Sequence, residues 1–163
     1  MLSIKIVCVG KLKERFYVDA ADEYIKRLSA YCKTEIIEIP EHKLPPDNAQ
    51  QTYVDLTLEK QRAAIERAAG TRTNSRTIAL CVEGRQINSE ELSEFLSNCA
   101  VQGVSSLCFL VGGSFGLHDA IKDTADVKLS LSKLTFPHNL ARVILLEQLY
   151  RAFNISEGGK YHK

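Results

Sequence analysis

The sequence lacks the short motifs that mark several large enzyme classes. No GxGxxG follows the first strand-like segment, where the connector reads GKLKER, so a Rossmann dinucleotide site is excluded. GxxxxGK(S/T), GxSxG and HExxH are also absent, which excludes a P-loop, a hydrolase nucleophile elbow and a zincin site. The function must therefore rest on residues that these patterns do not describe.

Cysteine occurs only as isolated residues. The five thiols are an odd number and form neither a CxxC pair nor a close cluster with histidine, so no disulfide framework and no metal site are indicated. Cys8, Cys81 and Cys108 lie in apolar strand-like runs, where cysteine acts as a small hydrophobic residue. We therefore predict reduced thiols in a cytoplasmic protein.

Long apolar runs and an excess of charge are missing as well. No run approaches the ~18 apolar residues of a membrane span, and Met1 leads directly into a strand pattern, which predicts no signal peptide and no membrane partner. The 21 basic and 20 acidic side chains leave a net charge of +1. Because nucleic-acid binding by bulk charge needs many phosphate contacts, an RNA partner would require a local basic patch.

Strand-like and helical segments alternate along the 163 residues, whose length suits a single domain. The predicted strands are 2–10, 34–39, 77–82, 107–111 and 127–131, and the predicted helices are 16–31, 52–69, 90–102, 118–124 and 137–154. Residues 41–50 contain Pro45 and Pro46 and are predicted to form a loop. The alternation predicts an α/β fold with a mainly parallel sheet and helices on both faces.

The last predicted helix carries few polar side chains. Between residues 140 and 153 these are Arg142, Glu147, Gln148 and Arg151, of which the last three share one arc. A helix so widely apolar needs a second cover besides its own sheet, so we predict a homodimer through this helix. Lysine in place of Leu145 or Leu149 is expected to give monomers or insoluble protein, because an unpaired charge would be buried. Complete burial within one chain is the alternative.

Three strand ends are predicted to form a ligand site. Residues 83–84, 112–116 and 131–136 follow strands whose carboxyl ends would meet at one edge of a parallel sheet. Their apolar side chains and their glycine, serine and threonine backbones suit a flat heteroaromatic ring. A branched side chain at Gly112 is expected to fill space that the ligand needs. The alternative is that Gly112 and Gly113 merely turn the chain.

Longer motifs resemble one enzyme family. FLVGGSFGL, LSLSKLTFPHNLARVILLEQLYRAFNI and the final KYHK are similar to the RlmH family of SPOUT-class methyltransferases, as are IKIVCVGKLKE and residues 35–40. The resemblance covers essentially the whole chain. Lys160 departs from it, because relatives often have proline before the Tyr-His pair, so the family's tail rigidity is not implied here.

The resemblance implies a fold, a reaction and a set of residues. The fold would carry a C-terminal trefoil knot, and a homodimer would bind S-adenosylmethionine in the knotted loops. The reaction would methylate N3 of a pseudouridine in 23S ribosomal RNA, the RNA of the large subunit, on the assembled ribosome. The residues implied in cofactor binding are Leu80, Gly112, Gly113, Leu131, Ser132, Lys133, Leu134, Thr135 and Phe136. Those implied in catalysis are His138, Arg142 and His162, and those in substrate binding are Arg151 and Tyr161.

That reaction assigns roles to the basic residues. Because the sulfonium already activates the methyl group, the protein must align donor and nucleophile and manage one proton. Arg142 or a charged histidine would stabilise the developing anion, and neutral His138 or His162 would accept the proton. Two alternatives stay open: Arg151 only pairs with Glu147 one turn away, and His138 only begins the helix.

The tail, residues 158–163, contains two glycines and is predicted to be flexible. Tyr161 could stack on a base and His162 could meet phosphate, with a frayed terminus as the alternative. Two other functions remain open: a non-catalytic ribosome-associated RNA-binding module, and a SPOUT methyltransferase acting on transfer RNA. The intact loops and the set of arginine and histidine residues favour catalysis on ribosomal RNA.

Overall fold

A computed structural model describes residues 1–42, 50–71 and 73–163. The strands are β1 (Ser3–Val9), β2 (Lys33–Ile39), β3 (Ser75–Gln86), β4 (Ser106–Val111) and β5 (Val127–Ser130). The helices are α1 (Arg15–Leu28), α2 (Gln51–Ala69), α3 (Ser89–Val101), α4 (Asp119–Thr124) and α5 (His138–Ser156). Each predicted strand and helix is present. The predicted loop at Pro45 and Pro46 lies outside the described residues.

The strands form one parallel sheet in the order β2-β1-β4-β3-β5. Its central strand, β4, is buried along its whole length, as a parallel strand with both faces covered should be. Because the strands are parallel, all of their carboxyl ends meet at one edge. The predicted fold class is therefore confirmed, while the trefoil knot through the C-terminal loops stays a prediction.

Helices cover both faces of the sheet. Neighbouring residues of β1 point to opposite sides, so that Ile6 joins the core under α1, α3 and α5, and Val7 joins the core under α2 and α4. The first core is built around Phe109, Leu145 and Leu149, and the second contains Ile65. The two cores fix the sheet edge on which the loops stand.

Helix α5 packs between α1 and α3 and is only partly covered by its own chain. Leu145 and Leu149 are 0% exposed, so the expectation that they mark a subunit interface is wrong: they belong to the core of their own chain. Leu140 and Ile144 are half-buried and belong to neither core. Complete burial of the helix within one chain, the alternative, therefore does not hold.

Candidate active site

The carboxyl edge of the sheet opens into a cleft of about 280 Å³. Its walls are the middle of β3 (residues 80–83), the glycine loop after β4 (residues 112–117) and the loop between β5 and α5 (residues 131–137). Because β3 lies between β4 and β5, the two loops flank it on either side. The three segments predicted to meet therefore do so.

The glycine loop folds tightly on itself. The amide of Gly116 donates to the carbonyl of Gly113 at 3.0 Å, and Gly116 has φ +74°, which favours glycine. A Cβ atom on Gly112 would lie 2.5 Å from the carbonyl oxygen of Gly116. A side chain at Gly112 would thus collide with the loop before it reached the ligand, a different reason for glycine from the one expected.

The loop after β5 is shaped by its serines. The hydroxyl of Ser130 donates to the carbonyl of Ser132 at 2.9 Å, and the amide of Leu134 donates to the hydroxyl of Ser132 at 3.0 Å. Most of the residues predicted here face the cleft: Leu131, Ser132, Leu134, Thr135 and Phe136. Lys133 is exposed and is not part of the wall.

The third wall is a bulge in β3. Leu80 and Arg85 both pair with Leu129 of β5, so residues 81–84 leave the strand and return to it. A Cβ atom on Gly84 would lie 2.7 Å from the carbonyl carbon of Leu129, so only glycine allows this close approach. The predicted turn at residues 83–84 is therefore a bulge within a longer strand. Bulges of this kind re-aim side chains next to active sites.

His138 stands on the cleft wall as the first residue of α5. Its Nε2 lies 4.0 Å from Oε1 of Glu41, and that oxygen accepts a hydrogen bond from the hydroxyl of Ser114 at 3.2 Å. The three side chains link α5, the segment after β2 and the glycine loop. His138 therefore both begins the helix and faces the cleft, where an imidazole beside a carboxylate can take up a proton.

Arg142 lies behind the cleft and is not part of its wall. It is 3% exposed; Nη1 donates to Oε2 of Glu38 at 2.9 Å, and Nη2 donates to the carbonyl of Gly10 at 2.7 Å. These bonds tie α5 to the ends of β1 and β2. From this position Arg142 can hold the cleft in place, but it does not reach a base bound in the cleft of its own chain.

The tail turns back along α5 instead of leaving the surface. The amide of Gly159 donates to the carbonyl of Asn154 at 2.8 Å, and the amide of Tyr161 donates to Oδ1 of Asn154 at 3.0 Å. The hydroxyl of Tyr161 donates to Glu147 at 3.1 Å, and its ring packs edge-on against Tyr150 at 4.8 Å between ring centroids. The predicted flexible tail is thus an ordered turn with specific contacts.

His162 and Arg151 share this second location. Nε2 of His162 lies 2.7 Å from Oε1 of Glu90, and its Nδ1 lies 3.5 Å from Nη1 of Arg151. Nε of Arg151 donates to Glu147 at 3.0 Å, so the i,i+4 pair that the sequence left open is present. Arg151, Tyr161 and His162 do not line the cleft of their own chain. The predicted site residues therefore fall into two groups, at the cleft and at the tail.

Local contacts set the ionisation of several groups. Burial, and then hydrogen bonds to Tyr24 and Glu147, raise the pKa of Tyr161, so its phenol stays neutral. Burial raises the pKa of the Cys8 thiol to about 11, so this thiol stays protonated at neutral pH. A hydrogen bond to Glu83 raises the pKa of Lys122 on the cleft wall, and the same bond lowers the pKa of Glu83. Both side chains are therefore charged at neutral pH.

Two kinds of site are missing from the described part of the chain. Across residues 1–42, 50–71 and 73–163 no group of three or more His, Cys, Asp or Glu side chains could hold a metal ion. Within the same ranges no helix has both the length and the apolar character needed to cross a membrane.

The fold is shared with solved structures of methyltransferases. A probable methylase family protein of Haemophilus influenzae Rd KW20 superposes with a TM-score of 0.57 at 15% identity, over 100% of this chain and 72% of that one. A probable methyltransferase of Bordetella pertussis Tohama I gives 0.55 at 15% identity, over 93% and 95% of the two chains. At these identities the likeness concerns the fold alone.

Sequence comparisons are more specific. The model described as "Predicted SPOUT methyltransferase" matches residues 2–162, so the chain is a SPOUT methyltransferase. Ribosomal RNA large subunit methyltransferase H of Clostridium botulinum (strain Alaska E43 / Type E3) is 47% identical over 162 residues, 99% of this chain and 100% of that protein. The protein of the same name from Clostridioides difficile (strain 630) is 46% identical over the same length. Within the SPOUT methyltransferases the chain belongs to the RlmH family, which confirms the resemblance seen in the sequence.

Proposed function

We propose that this methyltransferase transfers a methyl group from S-adenosylmethionine to N3 of a pseudouridine in 23S ribosomal RNA of the assembled ribosome. The relatives named as large-subunit ribosomal RNA methyltransferases match it over 99% of its length. The observation that carries the proposal is the cleft, because its walls are the glycine loop and the SLSKLTFPH segment on which the resemblance rests.

The cleft fits the proposed methyl donor. Leu80, Leu131 and Phe136 offer apolar surface for an adenine ring, and the backbone of the glycine loop lines the cleft beside them. The residues proposed to hold the donor are Leu80, Gly112, Gly113, Leu131, Ser132, Leu134, Thr135 and Phe136; Lys133, on the outer side of the loop, is the weakest of the predicted set. The bound donor supplies a methyl group already activated by its sulfonium.

The residues of the chain then have to align the RNA base and remove one proton. The bound donor would supply the methyl group, and the ring nitrogen that receives it must lose its proton. His138 is the histidine on the cleft wall that can accept this proton, and Glu41, 4.0 Å away, would stabilise the resulting imidazolium. Arg142 would hold α5, and with it His138, at the sheet edge through Glu38 and Gly10.

We infer a homodimer in which the tail group of one chain serves the cleft of the other. Two observations support it: Leu140 and Ile144 of α5 are half-buried outside both cores, and Arg151, Tyr161 and His162 do not line their own cleft. His162 lines a neighbouring cavity that shares Leu131 and Phe136 with the cleft. The whole chain would act as one catalytic domain, because the family model spans it. Since assembled ribosomes are the proposed substrate, we infer a cytoplasmic location.

Labelled S-adenosylmethionine, incubated with purified ribosomes, free large subunits and transfer RNA, tests the function. Label is expected in 23S ribosomal RNA of whole ribosomes, in a nucleoside identified by mass spectrometry as N3-methylpseudouridine. Label confined to transfer RNA would support the transfer RNA methyltransferase instead. Ribosome binding without any transfer would support the non-catalytic module.

A further inference from the structure

The bulge of β3 carries an acidic side chain, Glu83, that has no role in the methyl transfer proposed for the cleft. Residues 81–84 loop out between two pairings to the same residue, Leu129, and the close approach of Gly84 to Leu129 fixes where they stand. The excursion places Glu83 on the cleft wall, where the acidic or basic side chains are Glu83, Lys122 and His138. Glu83 is the acidic member of this set.

Glu83 is held in place by α4. Lys122 of that helix forms an ion pair with Oε1 of Glu83 and a second one with Asp119 at 3.0 Å. The Lys122 side chain is only 19% exposed, whereas that of Asp119 is 87% exposed and lies off the cleft wall. The pair therefore joins two elements that flank the cleft, and it fixes the direction in which the Glu83 carboxylate points.

We propose that Glu83, held by Lys122, accepts hydrogen bonds from the ribose diol of the methyl donor. The inference rests on the proposed function, because it concerns the donor in that same cleft. A carboxylate has about four acceptor positions, and Lys122 occupies one of them. The remaining positions suit two neighbouring hydroxyl donors. Dinucleotide-binding folds read ribose hydroxyls with a carboxylate in the same way.

The charge of the Glu83–Lys122 pair argues against a contact between Glu83 and the ammonium of the ligand. Lys122 already neutralises Glu83, which weakens the attraction for a second cation, and its own charge would repel one. A neutral hydroxyl suffers no such repulsion. The pair therefore favours the ribose over the amino-acid end of the donor.

Calorimetry with two ligands distinguishes a contact to the ribose from a contact to the amino-acid portion. S-adenosylhomocysteine carries both, while 5′-methylthioadenosine keeps adenine and ribose but lacks the amino-acid portion. Glu83→Ala is expected to weaken the binding of both ligands by the same factor, at least about tenfold, because each charge-assisted hydrogen bond is worth about that much. Glu83→Gln, which keeps the shape and one acceptor oxygen, should weaken both less. Asp119→Asn is the matched control, expected to change neither by more than about twofold.

A further arm uses 2′-deoxy-5′-methylthioadenosine. The wild type should bind it more weakly than the ribose form, and Glu83→Ala should erase that difference. Loss of S-adenosylhomocysteine binding with unchanged 5′-methylthioadenosine binding would overturn the proposal in favour of the ammonium, and unchanged binding of both would overturn it altogether. A wild type that binds neither ligand would instead refute the proposed function from which the inference starts.

Discussion

The cleft and the tail are both built from polar, glycine-containing segments, yet they are held in different ways. In the cleft, backbone lies against backbone: Gly112 against Gly116, and Gly84 against Leu129. At the tail, a backbone turn at Gly159 is joined by side-chain contacts, as between Tyr161 and Glu147. The cleft loops thus depend on the absence of side chains, whereas most of the tail contacts depend on their presence.

The difference predicts how each region responds to change. A single added atom deforms the cleft, because backbone on both sides cannot yield. Loss of one tail contact leaves the others in place, and partly exposed contacts such as that between His162 and Glu90 contribute little. Substitutions should therefore act on the cleft through the folding of its loops, and on the tail through function with little loss of stability.

A lysine inside α5 should have the largest effect on the fold. Leu149→Lys puts a charge at a position that is 0% exposed, and we expect a loss of about 4 kcal/mol or more, enough to yield insoluble protein. Ile144→Lys is the matched variant on the half-buried side of the same helix and should give a soluble, folded monomer. Light scattering and circular dichroism distinguish these results. A wild type that is monomeric at micromolar concentration would refute the proposed homodimer.

Gly112→Ala should disrupt the glycine loop of the cleft with the smallest possible side chain. The new Cβ would meet the carbonyl of Gly116, so we expect a loss of about 2 kcal/mol and no measurable binding of S-adenosylhomocysteine. Gly103→Ala is the control: φ there is +77° and nothing lies within 4 Å of the new atom. It should cost about 1 kcal/mol in strain and keep ligand binding. Normal binding of S-adenosylhomocysteine by Gly112→Ala would show that the glycine loop does not form the cofactor site.

Arg142→Met tests the link between cleft and helix. It leaves Glu38, whose side chain is 33% exposed, without its cation, and we expect a loss of about 2 kcal/mol in denaturant unfolding. In a double-mutant cycle with Glu38→Gln, the second substitution should add little, because the pair acts as a unit. Unchanged stability together with abolished methyl transfer would instead make Arg142 a catalytic residue.

Tyr161→Phe should have the smallest effect. It removes one hydroxyl bonded to Glu147 and keeps the ring against Tyr150, so we expect a loss of about 1 kcal/mol or less. Affinity for S-adenosylhomocysteine should not change, because the hydroxyl is bonded to Glu147 and the tail is proposed to bind the RNA and not the methyl donor. A marked loss of affinity would place the hydroxyl in a cofactor site.

The sequence was informative where local pattern decides structure. Apolar residues at strand or helix spacing predicted the strands and helices seen in the described residues, and glycines marked two of the three cleft walls. The Glu83–Lys122 pair, with partners 39 residues apart, and the Arg142–Glu38 pair, 104 apart, leave no local signal because the fold alone brings them together. The tail was predicted to be flexible from its glycines because its partners lie elsewhere in the sequence: Tyr161 contacts Glu147, and His162 contacts Glu90.

Deletion of Lys160–Lys163 tests most directly whether the two regions divide the work. On one preparation, affinity for S-adenosylhomocysteine and methyl transfer to ribosomes would be measured side by side with the wild type. The account predicts an unchanged affinity and an unchanged oligomeric state, with methylation of ribosomal RNA abolished. Full methylation by the truncated enzyme would show that the tail is only a surface turn and that the cleft acts without it.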